Sequence, residues 1–288
     1  MTQRPPTSPE PDWEPVEIDT SAPHPARIYD YLLGGTENFA VDREAAEQVA
    51  GAHPGGLETA RAVVRANRAF LGRAVRYLAA DAGIRQFLDI GTGVPTEGNT
   101  HEVAQQVAPE SRIVYVDNDP IVLALSRSLL RSTAEGATAY VNGDLREPEA
   151  ILEQAAATLD LTRPVALMLV AVLHLIPDAN DPYGIVARLV EAVPVGSYLV
   201  VSCLAKDIHD HEMAEAAERH GKVVQEALAL RGRDDVARFF DGLEVVEPGV
   251  VQVHRWRRGA AEGAADRETA SSAGAPATPI YGAVGRKV

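Results

Sequence analysis

Read from residue 86 onward, the chain alternates short apolar runs with amphipathic stretches. QFLDI predicts a strand, and a helix follows over about 99–108, where Asn99 and Glu102 have capping-box spacing. RIVYVD predicts a second strand; Asp119 is placed to cap the next helix, with Pro120 in its first turn. TAYVN is a third strand, followed by a helix over about 147–159. PVALMLVAV is apolar throughout, as in a strand covered on both faces. A helix over 182–193 leads to SYLVVSCL, then come helices near 210–229 and 234–240, LEVV, and a last strand in YGAVGRKV. Strands and helices alternating at these lengths predict a parallel, doubly wound α/β sheet.

Upstream the pattern changes. ARIYDYLLGG holds a short apolar segment broken at Gly34 and Gly35, a helix is expected from about Asp42, and Leu57–Ala82 has helical periodicity. Five arginines on that helix, Arg61, Arg65, Arg68, Arg73 and Arg76, read mainly as a solvated face. The expected organisation is a proline-rich tail over 1–25, a helical cap over 26–82 and an α/β domain over 83–288. Within that domain the small polar stretch 259–279 reads as a flexible loop.

Composition narrows the classes. Net charge is −14, from 41 acidic and 27 basic side chains, which opposes a general nucleic-acid grip. Cys203 is the only cysteine, so no intrachain disulfide is possible and a reducing compartment is expected. The start lacks the apolar core of a signal peptide, and no apolar run is long enough for a bilayer. The reading is a cytoplasmic protein without a membrane partner.

The chemistry concentrates in FLDIGTGVPTEGNTHEVA. In doubly wound sheets ligands sit beyond the carboxyl ends of the strands. Gly91 and Gly93, with Thr92 between them, let backbone pass close to a ligand there. The spacing is not that of a dinucleotide or P-loop motif. Pro95 removes a donor, and no Lys or Arg lies between Phe87 and Ser111. NAD is therefore a distant alternative. A phosphate-free, cationic cofactor fits better, and S-adenosylmethionine, leaving as S-adenosylhomocysteine, has that chemistry. Asp89 is placed for its amino-acid end, Asp117 for the ribose hydroxyls and Asn118 beside the adenine. Asp144 suits the adenine amino group, Leu145 forms an apolar wall, and Val170 lies beside the methyl group.

Beyond these residues, the chain resembles an actinobacterial S-adenosylmethionine-dependent methyltransferase family once catalogued only as a domain of unknown function. The matching stretches include ARIYDYLLGGTENFAVDRE, DIGTGVPTEGN, VYVDNDPIV, LMLVAVLHLIPD and YGAVGRK. The resemblance implies a class I methyltransferase (Rossmann-like) fold: a mostly parallel seven-stranded sheet with an antiparallel last strand and a helical N-terminal addition. It implies no acceptor.

Direct displacement needs a general base only if the acceptor must lose a proton. His174 is a candidate base, although a ring packed at a strand end with a backbone partner is the simpler account. Tyr29, Tyr31 and Asn38 could contact cofactor or acceptor if the YDYLLGG segment closes over the site. Packing of these tyrosines on the domain explains them equally well. Arg68 could clamp a carboxylate, a structural ion pair being the plainer role. His209 and His211 lack metal-ligand spacing, so no metal is expected, and the basic cluster at 254–258 is thin support for RNA. The expected function is methyl transfer to a small-molecule acceptor; the alternative is a non-catalytic, regulatory S-adenosylmethionine-binding protein.

Overall fold

A computed structural model describes residues 20–52, 55–129, 131–258 and 278–288. Most of the expected tail and of the 259–279 loop lies outside the described residues. Three helices precede the sheet: α1 (Pro25–Leu33), α2 (Ala40–Ala50) and α3 (Gly56–Ala80). The alternating part then runs β1 (Gln86–Ile90), α4 (Thr100–Val107), β2 (Arg112–Asp117), α5 (Pro120–Leu129) and β3 (Ala137–Asn142). It continues with α6 (Pro148–Ala155), β4 (Ala166–Val170), α7 (Pro182–Glu191) and β5 (Tyr198–Leu204). The remaining elements are α8 (Asp210–Val223), α9 (Arg233–Ala237), β6 (Leu243–Val245), β7 (Val251–Gln252) and β8 (Ile280–Lys287).

The main path of the sheet has the order β3-β2-β1-β4-β5-β8-β6. β1 to β5 pair in parallel, and β8 inserts antiparallel between β5 and β6. These are the seven strands expected; the two-residue β7, an eighth, pairs with the free half of β8. The apolar run of β4 is buried at every position, because it sits centrally between β1 and β5.

Alternation along the strands divides the core into two layers. Leu88, Ile90, Leu167, Leu169 and Val201 face α6 and α7. Phe87, Tyr115, Met168 and Val200 face the other way, onto Phe70, Leu71, Val75 and Leu78 of α3. α3 therefore shares the core of the sheet. A third, small cluster joins Ile28 of α1, Ala45 and Ala46 of α2 and Val224 just past α8. It makes a helical roof over the carboxyl edge of the strands.

Three expected boundaries shift. Pro25 and His24 are held on the domain: Pro25 opens α1, and the His24 N–H donates to Asp42 Oδ1 at 2.9 Å. The 147–159 helix closes at Ala155. The helix expected to reach residue 229 stops at Val223, and Gln225 then turns left-handed (φ 62°). The released segment is used by the site.

Of the five arginines on α3, Arg65 and Arg76 are exposed as expected. Arg73 instead donates to the carbonyls of Val253 and Trp256 at 2.7 and 2.8 Å. Trp256 is fully buried and edge-on to Phe70, while Arg257 covers the Tyr77 ring and pairs with Asp81. The basic cluster is thus a latch onto α3, and its aromatic ring is closed to a nucleobase. Among the described residues no helix is long and apolar enough to cross a membrane.

Candidate cofactor and acceptor site

At the carboxyl edge of β1 the chain must turn sharply into α4, and glycine makes that possible. Gly91 (φ 73°) is left-handed, and a Cβ there would lie 2.4 Å from Val172 Cγ2. Its N–H donates to Val116 O, fastening the turn to β2. Gly93 (φ 66°) donates its N–H to Asp117 Oδ2 at 2.8 Å, and Asp117 Oδ1 accepts from Asp119 N at 2.9 Å. Asp119 caps α5 as its spacing predicts, accepting from Ile121 N. The Glu102 half of the predicted capping box also forms, accepting from the N–H groups of Gly98 and Asn99. Asn99 Oδ1 also accepts from Thr96 N and from Arg68.

Asp89, one residue before the end of β1, is almost completely buried, with Oδ2 accepting from the Thr100 hydroxyl at 2.6 Å. Burial pushes its carboxyl up to about 6, and nearby Asp117 adds to this, while Thr100 and Arg68 oppose it. Burial likewise raises Asp117. Asp144 is tied to Arg146 through both backbone and side chain, and Asn118 is exposed beside it.

Asp89, Asp117, Asn118, Asp144 and Arg146 line one cavity of about 320 Å³, together with Gly91, Thr92, Gly93, Leu145, Val170 and Arg68. Arg68 corrects two expectations. It comes from α3 to supply the cation that the turn itself lacks, and it has no carboxylate partner among the described residues. Its guanidinium donates to the carbonyls of Thr96 and Glu97 and to Asn99.

Past β4 the wall turns apolar, with Val63, Leu175, Ile176, Met213 and Leu228. Ala171 takes a left-handed φ of 60°, a strained conformation for a residue with a side chain, and its N–H donates to Ser202 Oγ at 2.9 Å. The Ser202 hydroxyl donates to Asn67 Oδ1, Asn67 Nδ2 donates to the Tyr29 hydroxyl, and Tyr29 donates to Val64 O. This relay ties the end of β4 to α1 through α3. His24, whose Nδ1 accepts from Ala26 N, also lies close to the end of β2, with that Nδ1 3.1 Å from Asp119 Oδ2.

The structure divides the remaining candidates. Tyr29 and His174 line the cavity; Tyr31 and Asn38 do not. The Tyr31 hydroxyl donates to Glu47 and its ring lies under Arg61, because it occupies the outer face of α1. Asn38 donates to Asp30 and to the Gly35 carbonyl, bracing the turn after α1. The His174 ring is buried, but without the expected backbone partner: its Nδ1 has none, and only its carbonyl is bonded, by Ala229 N. Burial, His220 and Arg231 push it down to about 3. Cys203 is buried core, its thiol raised to about 11 by burial. No cluster of three metal-ligating side chains occurs among the described residues. The sequence reading missed Asn67, Thr100, Ser202 and His220, which are single polar residues inside ordinary helix or strand patterns. Thr100 alone left a signal, as the first helical residue after the glycine turn.

The sequence profile described as S-adenosyl methyltransferase matches residues 11–288. The chain belongs to that family. It is similar to a DUF574 family protein of Streptomyces avermitilis, known from a crystal structure (47% identity, TM-score 0.86, covering 94% of this chain and 100% of that one). A second similar crystal structure, from Thermobifida fusca, has 38% identity and a TM-score of 0.81, covering 93% of this chain and 96% of that one. No curated protein matches the chain. The family is one of methyltransferases, its cofactor S-adenosylmethionine, and the sheet described above is the class I methyltransferase fold.

The cavity has the chemistry for that cofactor. Its strand ends present buried carboxylates to a cationic ligand, and Pro95 leaves the turn short of phosphate donors. Each oxygen of Asp117 has spent one acceptor position on a backbone amide and retains another for a hydroxyl.

Proposed function

We propose that the chain transfers the methyl group of S-adenosylmethionine, by direct displacement, to a small molecule with a largely apolar body. One observation carries this reading: a single cavity joins the acidic strand ends of β1, β2 and β3 to the apolar wall beyond β4. The cofactor supplies a methyl group activated on a sulfonium.

In this reading Asp117 accepts from the ribose hydroxyls, and Asp89 faces the ammonium of the amino-acid end. Asn118, Asp144 and Leu145 surround the adenine, and Gly91, Thr92 and Gly93 admit the cofactor close to the backbone. Val170 borders the path of the methyl group. Helices α1 and α2 act as a cover over the 83–288 domain with Tyr29 on the inner face, while α3 packs into the sheet's core and carries Arg68, which braces the turn. Excluding water and holding the acceptor oxygen or nitrogen in line with the methyl group supply much of the rate. An overall charge of −14 fits a small acceptor better than a nucleic acid.

Titration calorimetry tests the cofactor assignment. S-adenosylmethionine and S-adenosylhomocysteine should bind and NAD should not; the reverse would overturn it. Acceptor extracts incubated with labelled cofactor then test transfer. Tight cofactor binding with no labelled product in any extract would favour the regulatory reading.

A further inference from the structure

The far wall of the cavity carries two imidazoles, His174 and His220. α8 presents Met213, Ala216, Ala217 and His220 to the cavity at positions i, i+3, i+4 and i+7, one face of the helix. His220 is 7% exposed, and its Nδ1 lies 2.9 Å from the Glu226 carbonyl oxygen. A carbonyl oxygen can only accept, so Nδ1 carries the proton and Nε2 keeps its lone pair. Among the described residues no protein group bonds Nε2, and His220 lines the cavity.

The segment that leaves α8 early holds both rings in place. Glu226 supplies the carbonyl to His220, and Ala229 N donates to the His174 carbonyl at 2.8 Å. Arg231 donates to the carbonyls of Leu173 and Ile176 on either side of His174. Burial above all, then the His220 ring and Arg231, make His174 a poor proton acceptor. His220 differs. Burial holds it below the ordinary imidazole range too, but its bond to the Glu226 carbonyl and the nearby Glu226 carboxylate partly offset this by favouring the protonated ring.

Building on the cofactor reading above, we propose that His220 is the general base of the transfer and that the acceptor is a hydroxyl of phenolic acidity on an apolar ring system. A tautomer-locked base is of use only to an acceptor that must lose a proton. A hydroxyl of tyrosine-like acidity, with a pKa of about 10, is within reach of imidazole, and its aromatic body suits the apolar wall. In the step, the hydroxyl proton passes to Nε2 while the oxygen forms its bond to the methyl carbon. The carbon–sulfur bond breaks with both electrons going to sulfur, leaving a neutral thioether. The imidazolium then loses its proton to solvent.

The test uses the full chain with 2-naphthol as probe. With the protein saturated in S-adenosylhomocysteine, 2-naphthol should shift the ring ¹⁵N resonance of His220 Nε2, and naphthalene should not. His220→Asn keeps an amide donor for the Glu226 carbonyl but has no base. It should bind S-adenosylmethionine as the wild type does, yet methylate 2-naphthol about 100-fold more slowly or worse. In His220→Ala, added imidazole should restore part of the rate. The proposal is overturned if His220→Asn retains wild-type turnover, or if 2-naphthol neither shifts the ring nor accepts a methyl group. Failure of the wild type to bind S-adenosylmethionine would instead strike the cofactor reading beneath it.

Discussion

In the proposed reading, the cofactor end of the cavity is the one assembled from strand ends between Asp89 and Val170, whereas the acceptor end draws on α1, α3, the turn after β4 and the segment after α8. At the first end, ladder register does the positioning. Ile90 pairs with Val116 and Asp117 with Asn142, so residues at successive strand ends must meet at one edge. At the second end, position depends on how helices from both ends of the chain pack and on a polar relay from Ser202 to Tyr29. Local rules are enough to build a cofactor cradle in this fold. The apolar wall needs contacts between residues far apart in sequence.

The contrast can be broken at four points. Asp117→Ala should have the largest effect: cofactor affinity falls about 100-fold, on the order of 3 kcal/mol for a charge-assisted contact, with the circular dichroism spectrum retained. Unchanged affinity in calorimetry would remove Asp117 from the ribose.

Asp89 comes next. Because its folded pKa is raised to about 6, the folded state holds a proton between about pH 4 and 6 that the unfolded state has already released. Its contribution to stability is therefore complete below about pH 4 and is lost as pH rises through 6. Asp89→Asn removes this loss and should raise stability at pH 7 by up to about 3 kcal/mol, measured by urea unfolding across that range. Wild-type and variant curves that run parallel from pH 4 to 7 would mean that Asp89 ionises normally. The same ionisation should make cofactor affinity weaken below pH 6.

Asn67→Ala cuts the relay and leaves buried polar groups of Ser202 and Tyr29 without their partner, at a cost of about 1–3 kcal/mol. Hydrogen exchange in α1 should quicken. Equal protection of α1 in both proteins would mean that the relay does not hold the roof. The smallest effect is expected from Tyr31→Phe, which removes only an exposed bond to Glu47: about 0.5 kcal/mol or less, with cofactor affinity and turnover unchanged. A large loss of turnover would show that the outer face of α1 reaches the acceptor.

The legibility of the sequence follows the same division. The alternating elements, the Asp119 cap and the acidic strand ends could be read because each signal lies within a dozen residues. Tyr31 looked equivalent to Tyr29 because spacing alone cannot say which face of a nine-residue helix turns inward, and Asn38 because the path of the turn after that helix is set by its contacts with Asp30 and Gly35. The helix over 210–229 was read too long for a related reason. Periodicity continues past Val223, but the left-handed turn at Gln225 brings the Glu226 carbonyl to His220 and Ala229 N to His174. Local pattern was overruled where the site needed it to be.

By itself the sequence determined the sheet class and the glycine turn, since these depend on apolar periodicity and backbone freedom within short stretches. Only the tertiary structure decided that Arg68 braces that turn, that Asn67 and Ser202 join the roof to β4, and that His220 faces the cavity with a free nitrogen. Those roles depend on distances between residues far apart in the chain, which packing alone sets.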